Sequence, residues 1–146
     1  MKNILGFKFS GINCGLKKSK KKDLGLIMSS EKCISHAVFT KNKILAAPLI
    51  VSKKTIKNNG IYGVIVNSGN ANACTGIEGI KAVEKTINKA ADFTNLNKDN
   101  FFVSSTGIIG IQLDVNKITN NFDRLFNNLH VKNVKDFAEA IMTTDK

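Results

Sequence analysis

The sequence has no tryptophan, one tyrosine, one proline and one arginine, and these shortages limit its possible partners. Proteins that stack nucleic-acid bases place aromatic side chains beside basic ones, and those that read phosphates or base edges favour the planar guanidinium group. The formal net charge of +11 is the excess of 22 basic over 11 acidic residues, and only Arg124 among the basic residues is an arginine. We therefore expect no nucleic-acid partner in spite of the charge.

The chain also lacks the apolar run of about 18 residues that a membrane-spanning helix requires. Its first residues, Met1 to Gly6, contain neither a long apolar stretch nor a cleavage site of small residues. These are the features that identify a secretory signal. We therefore expect no membrane association and a cytoplasmic location.

Cysteine and histidine are scarce and scattered. Cys14, Cys33 and Cys74 form an odd set without a Cys-x-x-Cys spacing, and His36 and His130 have no companion three or four residues away. Such spacings are what zinc and redox sites need. We interpret the cysteines as small buried apolar side chains in a reducing compartment and the histidines as structural. We expect no metal and no cofactor.

A length of 146 residues, with 42% hydrophobic and 23% charged residues, is typical of one domain with its own core. Short runs rich in β-branched and aromatic residues, bounded by glycine, asparagine or lysine, predict strands. The predicted strands are Phe7–Leu16, Asp23–Met28, His36–Thr40, Ala47–Ser52, Ile61–Asn67 and Phe101–Ser105.

The second half of the chain changes to a helical period. Apolar residues at steps of three and four predict one helix over Gly76–Asn95, a second from a cap at Asp114 to Leu129, and a third that begins at Asn133. The predicted inner face of the first helix consists of Ile77, Ile80, Val83, Ile87, Ala90, Ala91 and Thr94. Strands followed by helices favour an α+β or layered α/β domain over a doubly wound sheet.

Three polar segments are candidates for function. The lysine run Lys17–Lys22 separates two predicted strands, as either a solvated hairpin turn or an anion-binding patch. The segment Asn67–Gly76 follows a strand and enters a helix, as either a self-satisfied turn or a site built on amides and free N–H groups. It has no Gly-Lys-Ser/Thr ending, so it is not a phosphate loop.

The third segment, Ser104–Gly110, contains Thr106 and Gly107 directly after a predicted strand. A threonine hydroxyl and a backbone N–H at such a place can stabilise the negative oxygen of an acyl-transfer transition state, an arrangement called an oxyanion hole. A plain glycine turn between strand and helix is the alternative. The residues show no nucleophile–base pair and no paired carboxylates.

The ten residues Asn-Ser-Gly-Asn-Ala-Asn-Ala-Cys-Thr-Gly at 67–76 resemble the hallmark segment of the ornithine acetyltransferases, a bifunctional family of arginine biosynthesis. Shorter segments that agree in order and spacing extend the resemblance over essentially the whole chain. They are Gly6-Phe7, Gly11–Lys17, Lys22–Leu24, Val38–Thr40, Ala46–Pro48, Ser105–Gly110 and Ala140–Asp145.

The resemblance implies a layered α/β sandwich that this segment forms together with a downstream chain, the two being cut from one precursor by self-cleavage. It implies a threonine nucleophile at the start of the downstream chain, activated by its own amine. That threonine takes the acetyl group from N-acetylornithine and passes it to glutamate, and some members also accept acetyl-CoA as a substrate.

By motif, Thr106 and Gly107 match the oxyanion-hole pair of that family, and Thr143 matches a threonine that contacts substrate. Alternatively, Thr143 or Thr144 bonds a carbonyl at a helix end. We expect the cleavage site and the nucleophile beyond Lys146. Residues 1–146 are then one domain, alpha-chain-like and inactive alone, and a non-catalytic binding or assembly module is the competing hypothesis.

Overall fold

The computed structural model of the protein describes residues 4–58 and 60–143. In this part of the chain, one sheet contains the strands β1 (Phe7–Ile12), β2 (Leu24–Cys33), β3 (Ile61–Asn70) and β4 (Phe101–Ile108) in that order. The first two pairs are antiparallel, and β3 and β4 are parallel. The helices are α1 (Ala47–Thr55), α2 (Gly76–Thr94), α3 (Val115–Thr119), α4 (Phe122–Asn127) and α5 (Val134–Ile141).

Alternation along the strands separates the two faces of the sheet. Leu26, Ile65 and Val103 stand side by side in register and are buried. They pack in one core with residues of α2, α3 and α4, namely Val83, Ile87, Ala90, Ile118, Phe122 and Leu125. Since successive strand residues point to opposite faces, the next row faces away from these helices.

Helix α5 crosses that opposite face on glycines. Gly11 and Gly25 are register partners on β1 and β2. A side chain at Gly11 would collide with the backbone of Asp136, and one at Gly25 would lie 2.9 Å from the ring of Phe137. The sheet is therefore covered by helices on both faces, and the predicted layered α/β fold class is confirmed.

Several predicted elements are present. The Lys17–Lys22 run does connect two antiparallel strands, and α2 spans the predicted range, with Asn95 ending it in a left-handed conformation at φ 57°. The helix predicted from Asn133 is α5. In α2, however, Ile77 is 63% exposed rather than on the inner face, while Ala82 and Thr86 are buried.

Three predicted elements are wrong. Ala47–Ser52 is the start of helix α1 rather than a strand, with Pro48 in its first turn, where proline is well tolerated. A short apolar run has no periodicity that separates the two structures. Residues 36–40 form no strand, and the side chain of Val38 there is fully exposed.

The helix predicted over Asp114–Leu129 is instead the two short helices α3 and α4. The break falls at Asn120 and Asn121, whose short amides favour turns over helix interiors. Asp114 forms no side-chain cap, and its carboxylate lies 3.9 Å from the ammonium of Lys117.

The cysteine and histidine predictions hold only in part. Cys14 is buried, but Cys33 is half-buried and Cys74 is exposed. His36 and His130 are both exposed, and the Nδ1 atom of His130 accepts a hydrogen bond from the backbone of Lys132. The described residues contain no group of metal-ligating side chains. No helix in the described part of the chain is long and apolar enough to cross a membrane.

Candidate active site

A cleft of about 800 Å³ opens at the carboxyl ends of the parallel strands β3 and β4. This is where open sheets with parallel strands commonly bind ligands. The lining comes from four separate parts of the chain: the turn after β1, the ends of β3 and β4, the approach to α3, and the chain after α5. Its residues include Lys17, Lys18, Gly69, Thr106, Gly107, Ile108, Ile111, Lys117 and Thr143.

The cleft brings the sequence-predicted residues Thr106, Gly107 and Thr143 together. Thr106 and Gly107 belong to β4 itself rather than to a loop after it, and they pair with Ser68 and Gly69 of β3. Thr106 is half-buried, and its hydroxyl has no hydrogen-bond partner among the described residues. The predicted position directly after the strand is therefore wrong by a few residues.

Gly107 has a packing reason to be glycine. Its φ of 132° lies in the region that side chains disfavour. A side chain there would also lie 2.5–2.8 Å from the backbone of Gly69 and Asn70. The close approach of the two strands therefore requires glycine at this position and leaves the backbone exposed toward the cleft.

The asparagines at the end of β3 are consumed by the fold. The amide of Asn67 donates to the carbonyl of Asn70 at 2.9 Å and accepts from the hydroxyl of Ser105 at 2.6 Å. The amide of Asn70 donates to the carbonyl of Ile111 at 2.9 Å and accepts from the backbone of Asn72 at 2.7 Å.

Asn72 continues the same network. It is fully buried, donates to the carbonyl of Gly79 at 3.0 Å and accepts from the hydroxyl of Thr75 at 2.8 Å. The backbone of Ala71 donates to the carbonyl of Ile108 just beyond Gly107. Of the two interpretations of this segment, the self-satisfied turn describes its amides, and the turn supports the Thr106–Gly107 backbone.

Sequence reasoning missed Asp23. This aspartate is fully buried, and its carboxylate accepts the backbone N–H groups of Cys14, Leu16 and Lys17 at 2.6–2.8 Å. Burial, with the nearby Asp23 charge, raises the pKa of the Cys14 thiol far above its ordinary value, so that thiol stays protonated. An aspartate directly after five lysines suggests a surface charge, so the pattern contained no signal for this role.

The lysine run is more than a solvated turn. The ammonium of Lys22 contacts the carboxylates of Asp136 at 2.6 Å and Glu139 at 3.2 Å, both on α5. The hydrogen bond to Asp136 raises the pKa of Lys22. The ammonium of Lys17 donates to the carbonyl of Met142, directly before Thr143. The turn therefore attaches to the end of α5 beside the cleft.

These features define a class: a layered α/β protein whose parallel strand pair ends in a threonine–glycine segment facing a cleft. Solved structures share the fold over 97% of this chain. One is the arginine biosynthesis bifunctional protein ArgJ from Bacillus halodurans, with 38% identity, a TM-score of 0.90 and 74% of its chain covered. Another is the ornithine acetyltransferase of Mycobacterium tuberculosis in complex with ornithine, with 31% identity, a TM-score of 0.89 and 78% covered.

The ArgJ family model matches residues 8–146, and the chain belongs to the ArgJ family. The ArgJ 2 protein of Clostridium acetobutylicum is 43% identical over 97% of this chain, and the ArgJ protein of Thermotoga neapolitana is 42% identical over 96%. The match covers 36% and 35% of those two proteins. The chain thus spans about a third of the length of these curated relatives, and the family resemblance seen in the sequence is confirmed.

Proposed function

We propose that this chain forms the part of an ornithine acetyltransferase that stabilises the oxyanion and contacts the substrate. The reaction is acetyl transfer from N-acetylornithine to glutamate, with acetyl-CoA as a possible second donor and no cofactor. The observation that carries the proposal is the cleft shared by Thr106, Gly107 and Thr143, three residues from two distant parts of the chain.

The proposed mechanism has two symmetrical halves. A threonine from the part of the relatives that this chain does not span attacks the acetyl carbonyl of N-acetylornithine. The hydroxyl of Thr106 and the backbone N–H of Gly107 stabilise the negative oxygen that forms. The C–N bond breaks, ornithine leaves with the proton taken from the nucleophile, and the acetyl group remains as an ester on that threonine.

In the second half, the amine of glutamate attacks the ester carbonyl and loses a proton, and the threonine oxygen regains one. The same two donors stabilise the second oxyanion, and N-acetylglutamate leaves. Exposed Ile108 and Ile111 provide an apolar wall for the aliphatic side chain of N-acetylornithine, the acetyl donor. Of the charged side chains that line the cleft, Lys17, Lys18 and Lys117 outnumber Asp114, so the rim is cationic, which favours carboxylate-bearing substrates.

The proposed partner is the downstream chain that completes this fold in the family. The test joins residues 1–146 to the remaining two-thirds of the Thermotoga neapolitana relative and measures N-acetylglutamate formed from N-acetylornithine and glutamate. We expect turnover by the fusion and none by either part alone.

Two outcomes contradict the proposal. Turnover by the 146-residue chain alone would place a nucleophile within it. A folded fusion without turnover, matched against the intact Thermotoga relative as positive control, would favour the competing function, a non-catalytic binding or assembly module.

A further inference from the structure

We propose that Lys17 and Ser68 are positioning residues for Thr143: they fix the end of α5 so that Thr143 faces Thr106 and Gly107 across the cleft. The inference rests on the proposed function and deepens it, because it assigns to the lysine turn and to β3 a part in substrate binding that neither motif indicates.

Ser68 connects the two sides of the cleft directly. It is fully buried on β3 and is the register partner of Thr106 on β4. Its hydroxyl donates to the carbonyl of Ala140 in the last turn of α5. One side chain therefore ties the strand pair that contains the proposed oxyanion donors to the helix that precedes Thr143.

Lys17 provides the second tie, two residues further along. Helix α5 ends at Ile141, and Met142 has an extended backbone, so the last carbonyls have no partner within the helix. The ammonium of Lys17 donates to the carbonyl of Met142 at 2.5 Å and to that of Lys22 at 2.9 Å. A cation at this end also opposes the partial negative charge of the helix terminus.

The base of Lys17 is itself held in place. Buried Asp23 accepts the backbone N–H of Lys17 at 2.8 Å, which sets the course of the turn before the side chain leaves it. The contact of Lys22 with Asp136 holds the same turn to the other end of α5. A long lysine side chain normally loses much rotamer freedom when it is fixed. In Lys17 both ends of the side chain are held, because Asp23 fixes the backbone N–H and the carbonyls of Met142 and Lys22 fix the ammonium.

Because Thr143 follows Met142 directly, the tie sets where its hydroxyl lies. Loss of the tie should let the end of α5 move and weaken substrate binding, while the oxyanion donors on β4 stay where they are. Lys21 is the matched control. It lies in the same turn, is exposed, and its side chain has no hydrogen-bond partner among the described residues.

The first test uses the fusion with the Thermotoga remainder. We expect Lys17→Met to raise KM for N-acetylornithine roughly 2- to 10-fold with kcat within about twofold, the size of one lost hydrogen bond. Lys17→Arg keeps a donor and should recover most of the loss, and Lys21→Met should behave as wild type.

A double-mutant cycle separates positioning from an independent contact. If Lys17 acts through Thr143, Lys17→Met should change KM little once Thr143→Ala is present. If the KM increases of Lys17→Met and Thr143→Ala multiplied in the double variant, the proposal would be overturned, because Lys17 would then contribute to binding without Thr143.

The second test needs no activity and uses the 146-residue chain. Backbone order parameters from ¹⁵N relaxation should fall at residues 141–143 in Lys17→Met, from about 0.85 toward about 0.6, and stay unchanged in Lys21→Met. Ser68→Ala should do the same, and if that buried variant does not fold, the Lys17→Met variant still decides. Unchanged order in Lys17→Met would overturn the positioning role. An inactive wild-type fusion would instead overturn the proposed function alone.

Discussion

Two polar segments lie at the ends of neighbouring strands, and they use their side chains in opposite ways. At the end of β3, the amides of Asn67, Asn70 and Asn72 are buried and bonded to the surrounding backbone. At the end of β4, Thr106 and Gly107 face the cleft, and the threonine hydroxyl has no hydrogen-bond partner among the described residues. Since buried amides must be satisfied, the first segment is scaffold, whereas the Thr106 hydroxyl of the second segment stays available for a ligand.

The comparison predicts its largest effect at Thr106. In the active fusion, Thr106→Ala should lower kcat roughly 100- to 1000-fold, about 3–4 kcal/mol, because the proposed donor to the transition-state oxyanion is lost. The melting temperature should change little, since the hydroxyl supports no described contact. Steady-state kinetics and thermal melts check this, with Ser104→Ala, exposed on the same strand, as control. An unchanged kcat would show that this segment is structural as well.

The opposite result is expected at Asn67. Asn67→Ala leaves the buried carbonyl of Asn70 without its amide partner and should lower the free energy of unfolding by about 1–3 kcal/mol. In the fusion, the fraction of the Asn67→Ala variant that remains folded should keep a kcat within a few-fold of the wild-type value. Denaturant unfolding measures the loss, and Asn88→Ala, an exposed asparagine on α2, is the matched control. Full stability combined with a lost kcat would reverse the roles assigned to the two segments.

Ser105 tests how separate the segments are. Its hydroxyl donates to Asn67 at 2.6 Å and is the side-chain link between them. Ser105→Ala should cost about 1 kcal/mol of unfolding free energy and leave kcat within about twofold, because the strand pairing beside it remains. Parallel unfolding and kinetic measurements decide this. A kcat loss comparable to that of Thr106→Ala would mean that the scaffold sets the geometry of the oxyanion donors through this bond.

An effect of similar small size, but on KM rather than on stability, is expected at Thr143. If its hydroxyl binds substrate equally in ground and transition states, Thr143→Ala should raise KM roughly 2- to 12-fold, about 0.5–1.5 kcal/mol, with kcat nearly unchanged. Thr143→Ser retains the hydroxyl and should be mild. Thr144→Ala is the neighbouring control, at a position outside the described residues. A raised KM for the Thr144 variant alone would show that Thr144, and not Thr143, contacts the substrate.

Local pattern was enough for much of this protein. The helical period of α2, the β-branched run of β3 and the turn between β1 and β2 could be predicted from the order of residues, because each depends on neighbours within a few residues. The motif around Thr106 and Gly107 and the family resemblance likewise needed only the order of residues. Pattern failed at Ala47–Ser52, where a short apolar run fits a helix as well as a strand, and at Asn120–Asn121, where two asparagines interrupt a helical period.

Only the tertiary structure decided which polar residues have partners. Lys17 and the carbonyl of Met142 are 125 residues apart, and Ser68 and that of Ala140 are 72 apart. Such contacts have no periodicity, because they depend on how α5 crosses Gly11 and Gly25 on the sheet. Asp23 shows the same limit: a carboxylate beside a lysine run suggests solvent, and only the folding of the turn around it buries the charge among three backbone N–H groups. The sequence alone located the four strands of the sheet, the main helix and the family, although it also predicted two strands that do not form. Packing decided which side chains support the cleft and which remain open to it.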